Sequence, residues 1–364
     1  MVGLKLNFQN MNLQNTNDSK LDLIVRAFED GVKNVDALGL VNGKAGQAII
    51  FYLMAKVLNE QKYADIGESL IDEIYDRSES IRTMDYAAGL AGIGWSIEWL
   101  VQKNLIAIPD THEILESIDK VIYKYLAYSK IEDLSIDKGI CGILKYLSRR
   151  ITNQTSNSHR YTFLGHLECC LFLTDDVLEI IELALRGESN INLDIITVAN
   201  TLRTVSNLNI AINKPTIESI TNKLSIHAES LLNKFSKESS NKNIDSLLGN
   251  IYLATSYLAA ARNGGLNMRE SKAIEYLNFL ITLLSVSNIN LEEINLKMLS
   301  IFNLANFYYP NEVIMKIINR NLISDQTLRL PAKLYDGLGV AILADVCANQ
   351  RDLELDISEL ILVL

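Results

Sequence analysis

A short glycine motif recurs along this chain, and each copy stands at the start of an apolar stretch. Its copies are Gly43-Lys44-Ala45-Gly46, Gly89-Leu90-Ala91-Gly92, Gly139-Ile140-Cys141-Gly142, Gly249 and Gly337-Leu338-Gly339. The first three lie about 50 residues apart, and self-similarity at such a period is typical of repeat architectures. The wider gaps leave room for two units without glycines, which the apolar stretches 193–208 and 296–307 fit. The sequence therefore predicts seven units in a single domain, 1–364.

Apolar and amphipathic stretches alternate along the chain. A helix that is apolar on all sides is buried, whereas a helix with charges on one face covers a core. The other apolar stretches are 47–58, 93–101, 143–147, 251–261 and 340–347, and the amphipathic ones are 21–35, 63–78, 111–128, 177–185, 216–235, 270–284 and 312–319. This alternation predicts an all-α fold, an α/α toroid of seven helical hairpins with inner and outer helix rings. An open superhelix of helix pairs is the alternative.

The glycines themselves favour a closed ring. In the first three units the two glycines are three residues apart, so they share one face of the first helical turn. Without Cβ atoms on that face, a crossing loop or a neighbouring inner helix can approach the backbone closely. The narrow throat of a toroid requires such an approach.

Charge and composition exclude several classes of partner. The formal net charge is −10 and the chain has no basic cluster, which argues against nucleic acid and anionic lipid and permits a neutral or cationic peptide. Apolar stretches such as 48–54 are far shorter than the roughly 20 residues that span a bilayer. The amino-terminal segment turns polar before a secretory signal develops, so we expect a cytoplasmic protein whose cysteines are buried free thiols.

The segments 40–48, 85–94 and 139–147 resemble the repeat signature of the lanthionine synthetase C-like (LanC-like) family. The resemblance covers nearly the whole chain; it is strong in the first three units, fair at Gly249 and Gly337, and absent in the fourth and sixth. It implies an α/α toroid of seven hairpins that closes thioether rings on ribosomally made peptides. The implied partners are a precursor peptide and a dehydratase or another maturation enzyme.

The family's metal-dependent members hold zinc through a Trp-Cys-x-Gly stretch and a Cys-His-Gly stretch, and this chain departs from both. Alignment of Gly249 places Leu247 at the first cysteine, and the sixth unit has Lys297 and Met298 beside Leu296, with neither Cys nor His. We therefore expect no metal and no cofactor. A cluster of His166, Cys169 and Cys170 is conceivable at helical spacing, but it would supply only three ligands.

Polar residues precede the predicted inner helices and would gather on one rim of a closed ring. If thioether addition proceeds without metal, it needs a base for the thiol and a donor for the developing enolate. Asp85 is the candidate base, in a position that resembles the Asp of the family's D-x-x-x-G stretch, with Lys138 and Tyr335 as candidate donors. The candidate substrate-binding residues are Asn42, Tyr86, Asp137, Asp245 and Asp336.

The alternative is a purely structural role, in which these aspartates only cap helices. Three functions stay open from the sequence. The first is a zinc-independent thioether cyclase, or a cyclase-derived partner that binds the modified precursor. The second is a toroid that binds a peptide or protein without chemistry. The third is an unrelated toroid enzyme, such as a glycosidase or terpene cyclase, although the paired carboxylates or Asp-rich motif expected of those enzymes are not visible.

Overall fold

Inner and outer helices alternate along the whole chain. The computed structural model describes residues 20–153, 159–208, 213–237, 243–286, 296–321, 327–335, 337–349 and 357–361, which contain fourteen α-helices and no strand. The inner helices are α2 (Lys44–Leu58), α4 (Leu90–Gln102), α6 (Ile140–Thr152), α8 (Ile195–Ser206), α10 (Ile244–Asn263), α12 (Leu296–Tyr308) and α14 (Leu338–Asn349). The outer helices are α1 (Lys20–Gly31), α3 (Gln61–Arg77), α5 (Thr111–Tyr128), α7 (Arg160–Arg186), α9 (Lys214–Lys237), α11 (Asn267–Val286) and α13 (Glu312–Asn321).

The inner helices form a closed ring. Each inner helix contacts the next one, and α14 contacts α2. Backbone hydrogen bonds join the loops that precede these helices: Tyr335 N–H donates to Val41 O (3.3 Å), Val41 N–H to Ala87 O (2.9 Å), and Ala87 N–H to Asp137 O (3.0 Å). Because the last unit is bonded directly to the first, the toroid is confirmed and the open superhelix is excluded.

All inner helices run in the same direction, so the ring has two different rims. The loops that precede the inner helices form one rim, here called the N-rim. The last turns of the inner helices form the other, the C-rim, where the Gln102 side chain donates to Arg149 O (2.8 Å) and the Arg262 side chain to Tyr308 O (2.6 Å). Residues of adjacent units at the same rim are neighbours even when they are far apart in sequence.

Four units share one loop geometry at the N-rim. In each, the residue after the first glycine donates its N–H to the carbonyl seven residues earlier, at 2.8–3.0 Å; the pairs are Lys44 to Ala37, Leu90 to Thr83, Ile140 to Asp133 and Leu338 to Pro331. The second glycine then lies against its own loop, and a Cβ at Gly92 would stand 1.9 Å from Tyr86 O. The predicted close backbone approach is confirmed for these units.

Gly249 was predicted to open a helix, and that prediction is wrong. Helix α10 begins earlier, at Ile244, where the Asn243 side chain accepts a hydrogen bond from Ser246 N–H (2.8 Å). An asparagine cap replaces the glycine loop because it satisfies the same exposed donors at the helix start. The two glycine-poor units, in contrast, are confirmed as α8 and α12.

A buried ion network joins the inner and outer rings. Arg150, at the end of α6, bonds Glu98 on α4 and donates to Asp119 Oδ2 on α5 (2.7 Å), and the three side chains are at most 3% exposed. Tyr146 O–H donates to Asp119 Oδ1 (2.5 Å), and Asn153 donates to Glu98 Oε2 (2.7 Å). Buried charges require this degree of pairing, since an unpaired charge is costly to remove from water.

His166 packs beside this network and is held neutral. Its Nδ1 lies 2.5 Å from the Tyr123 hydroxyl oxygen, at hydrogen-bond distance, and its Nε2 lies 3.6 Å from Asp119 Oδ2. Burial lowers the pKa of His166 to about 4, an effect that Asp119 opposes and Arg150 reinforces. The neutral ring therefore contributes stability that is fully present above pH 6.5, the unfolded pKa, and is lost as the pH falls toward 4.

We expect His166→Gln to remove most of this pH dependence, because the glutamine amide can still hydrogen-bond the Tyr123 hydroxyl but never takes a proton. The wild type should lose about 3 kcal/mol more stability than the variant between pH 7 and pH 4. Urea unfolding at several pH values measures this difference, with His227→Gln on α9 as the control for loss of a histidine. Parallel curves for wild type and His166→Gln would contradict the assignment.

Candidate functional site

The N-rim brings Asp85, Asp137 and Lys138 onto neighbouring loops. The Asp85 carboxylate is half-buried and accepts a hydrogen bond from Ala88 N–H (2.7 Å). Asp137 is half-buried, and its backbone carbonyl accepts hydrogen bonds from the N–H groups of Tyr86 (2.9 Å) and Ala87 (3.0 Å). Lys138 is exposed. Asp85 thus closes a turn in the loop before α4, and this loop lies beside the loop that carries Lys138.

Tyr86 and Tyr335 belong to the N-rim loops before α4 and α14. Both side chains are buried, and neither hydroxyl has a hydrogen-bond partner within the described chain. Burial raises the pKa of each phenol well above its usual range, while the positive charge of Arg203 opposes the shift at both. Each of the two side chains is therefore a neutral O–H donor.

The remaining predicted binding residues are distributed around the N-rim. Asn42 is half-buried in the loop before α2, and Asp245 is exposed in the first turn of α10. Asp336 lies outside the described residues. Asn42 shares its loop with Val41, which is bonded to the Ala87 and Tyr335 loops, whereas Asp245 belongs to a unit with a different type of helix start.

The stretches where the family resemblance implies zinc ligands, at Leu247 and at Leu296, Lys297 and Met298, contain neither Cys nor His. Leu247 and Met298 are buried at the starts of α10 and α12, and neither side chain binds zinc as a Cys or His does. No group of three or more His, Cys, Asp or Glu residues in the described chain could hold a metal ion. The residues present therefore do not fit the family's zinc site.

The cysteines of α6 and α7 are thiols that resist ionisation: Cys141 and Cys170 are buried and Cys169 is half-buried. Burial raises the pKa of Cys141 to about 12 and that of Cys169 to about 11, and it raises the pKa of Cys170 further. His166 lies on α7 with both cysteines of that helix, but its ring contacts Tyr123 and Asp119. The three residues therefore do not form a metal-binding group in the described chain.

A cavity of about 90 Å³ opens toward the C-rim, and the sequence analysis did not find it. Its basic lining residues are Lys145 and Arg149 on α6 and Arg203 on α8, and Trp95 forms an aromatic wall. Lys145 Nζ lies 5.6 Å from the Trp95 ring centroid, within the range of a cation–π contact. In the sequence, this cavity is indicated only by basic residues, Lys145, Arg149 and Arg203, in helices that the repeat pattern assigns to the inner ring.

Comparison with known proteins gives the fold a class. No family model and no curated protein matches the sequence. Solved structures match the closed ring of seven inner and seven outer helices that the described residues form. One of them is nisin cyclase, with a TM-score of 0.63 and 12% identity over 94% of this chain and 96% of that chain. At this identity the likeness establishes the fold and leaves the activity to be argued.

None of the helices in the described residues has the length and apolarity that crossing a bilayer demands.

Proposed function

We propose that this protein acts in the maturation of a ribosomally made peptide, as a zinc-independent LanC-like protein that binds the dehydrated precursor and closes its thioether rings. The observation that carries the proposal is the match to nisin cyclase over nearly the full length of both chains. The fold supplies a ring with an acidic N-rim, on which the candidate base Asp85 lies. A peptide with an unmodified cysteine and a dehydrated serine or threonine is the proposed substrate.

The proposed reaction needs one base and one acid. The Asp85 carboxylate takes the proton of the peptide thiol, and the sulfur then forms a bond to the β-carbon of the dehydrated residue. The electron pair of the carbon–carbon double bond moves into an enolate, which a positioned N–H or O–H donor stabilises. Protonation of the α-carbon completes the addition. Lys138, on the loop beside Asp85, is the proposed donor nearest to it in the ring.

Zinc independence follows from the donor chemistry at the family's ligand positions. Leu247 and Met298 offer no thiolate or imidazole, so we derive no step through a metal at that site. The partners in this proposal are the precursor peptide and a dehydratase that prepares it. We place the reaction in the cytoplasm, whose reducing conditions keep the cysteines of precursor and protein free.

A non-catalytic peptide-binding toroid is the second candidate, and one observation favours it. The Asp85 carboxylate already accepts a hydrogen bond from Ala88 N–H, and Tyr335 is buried whereas Lys138 is exposed. If the three residues do not meet on the substrate, the protein would bind the precursor for another enzyme. Binding would then persist in variants that have no reaction to lose.

Incubation of the protein with a synthetic peptide that carries one cysteine and one dehydroalanine separates the two candidates. We expect ring closure to remove the alkylatable thiol at unchanged peptide mass, with a rate that a chelator does not alter. Asp85→Asn should slow the reaction by about 100-fold or more, the typical contribution of a general base. Mass spectrometry after thiol alkylation gives the rate.

Asp36→Asn is the matched control, because Asp36 is an exposed N-rim aspartate outside the candidate set. Its rate should stay within about twofold of the wild type. A wild-type protein that binds the peptide in fluorescence anisotropy but leaves its thiol free would eliminate the cyclase and leave the binding function. Loss of rate on zinc removal would overturn the zinc-independent part.

A further inference from the structure

A short segment that follows α14 in sequence packs against the ring at the C-rim. Residues 357–361, here called the C-terminal segment, are mostly buried: Ile357 is 4% exposed, Leu360 0% and Ile361 3%. Glu359 lines the C-rim cavity and forms an ion pair with Arg149 of α6. The segment therefore fills part of a cavity that the inner helices would otherwise leave open.

The cavity is basic, although the protein as a whole is acidic. Lys145, Arg149 and Arg203 line it, and Glu359 is the one acidic residue among the described lining residues. The formal net charge of the protein is −10. Three cations around a small cavity repel one another and favour an anionic occupant. The C-terminal segment supplies that anion through Glu359.

Arg203 binds the backbone of the segment as well. Its Nη2 donates to Ile361 O at 2.5 Å and to Ser358 O at 3.4 Å, and the residue is only 4% exposed. These two carbonyls are more than 150 residues away from Arg203 in sequence, at separations of 158 and 155. A guanidinium that bonds main-chain carbonyls recognises a peptide by its backbone, whatever its side chains are.

The site still has a donor to offer. Arg203 lines the cavity, and its Nη1 is buried without a hydrogen-bond partner in the described residues. A buried charged donor that lacks an acceptor is destabilising. This spare donor favours a ligand with more acceptor oxygens than the five-residue segment provides.

From these contacts we infer that the C-rim cavity is a binding site for an acidic peptide, and that the C-terminal segment occupies it as a tethered ligand. Glu359 fills the place of the peptide carboxylate at Arg149, and the segment's carbonyls occupy the backbone site at Arg203. An acidic peptide added in trans competes with the tethered segment. The inference does not depend on thioether formation, because it concerns the opposite rim from Asp85.

Tethering explains why the site would be hard to detect in the wild type. A linked ligand has an effective concentration in the millimolar range, so a free peptide competes poorly against it. Reversing the charge of Glu359 should weaken the tethered ligand, because a lysine there would face Arg149 and its two basic neighbours. Glu359→Lys in the full-length protein therefore opens the site.

The probe is a fluorescein-labelled peptide, Ile-Ser-Glu-Leu-Ile, with blocked ends. We expect Glu359→Lys to bind this probe at least tenfold more tightly than the wild type does in fluorescence anisotropy, and Glu359→Gln to show a smaller gain. Glu68→Lys carries the same charge change on the exposed face of α3 and should bind as the wild type does. A probe with Lys in place of Glu should bind at least tenfold more weakly.

Tryptophan fluorescence gives a second readout, independent of the label. The chain has two tryptophans, of which Trp99 is fully buried and Trp95 lines the cavity. Acrylamide quenching should increase in Glu359→Lys and return toward the wild-type level when unlabelled probe peptide is added. Equal probe binding by wild type and Glu359→Lys, or equal binding of the Glu and Lys peptides, would overturn the inference.

Discussion

Replacing Arg150 with methionine is expected to lower the free energy of unfolding by about 3–5 kcal/mol, the usual cost of removing one member of a buried ion pair. Glu98 and Asp119 would remain in the interior without their cation, at 0% and 1% exposure. Methionine keeps most of the volume of the arginine stem, so the loss measures the charge more than the packing. Urea unfolding monitored by circular dichroism gives the value.

Arg77→Met is the matched control for this prediction. Arg77 also bonds two carboxylates, Asp36 and Glu73, but its side chain is 38% exposed. Surface ion pairs contribute about 0–1 kcal/mol, because water screens them and competes for the same groups. Similar losses in the two variants would mean that the buried network contributes no more to the free energy of unfolding than a surface ion pair does.

Gly142→Ala is expected to destabilise the ring by about 3 kcal/mol or more. A Cβ at this position would stand 2.1 Å from Ile136 O and 2.5 Å from Tyr86 Cβ, so the loops of two successive units would have to separate. Overpacking usually costs about 1–3 kcal/mol, and a contact with backbone, which cannot rotate away, lies at the upper end of that range. Thermal and urea unfolding both report this loss.

Gly249→Ala provides a test of opposite sign. Gly249 lies inside α10, and the nearest atom to an added Cβ is Ile195 Cγ2 at 3.5 Å, an ordinary contact. Alanine in a helix interior is favoured over glycine by up to about 1 kcal/mol, so this variant should be as stable as the wild type or more stable. If both glycine variants lose stability equally, the close approach at Gly142 is not the cause.

The fold could be predicted from the sequence because its signal is local and repeated. Helix periodicity separates inner from outer helices, and the glycine pairs mark the loops of the N-rim. The start of α10 was predicted at the wrong residue, because the sequence does not distinguish a glycine inside an inner helix, such as Gly249, from a glycine at its start. The capping residue Asn243, six positions earlier, marks the true beginning of α10.

The sites could be predicted only in part, because the contacts that define them are distant in sequence. Polar residues before the inner helices identify the N-rim, yet whether Asp85, Lys138 and Tyr335 act together stays a prediction. Arg203 bonds carbonyls at the far end of the chain, and no periodicity connects residues at such a separation. The only indication of the C-rim cavity in the sequence is the presence of charged residues in helices that the repeat pattern assigns to the buried inner ring.

The common direction of the inner helices gives the inner wall of the ring an electrical polarity. Each helix carries a macrodipole with about half a positive charge at its first turn and half a negative charge at its last. The positive ends of the inner helices gather at the N-rim and their negative ends at the C-rim, whereas the outer helices run the opposite way and offset this field on the outside of the ring. The aspartates near the helix starts and arginines such as Arg149 and Arg262 near the helix ends oppose this field. A charged peptide would therefore meet a different potential at each end of the ring, and the direction in which it enters would depend on which of its own ends bears the charge.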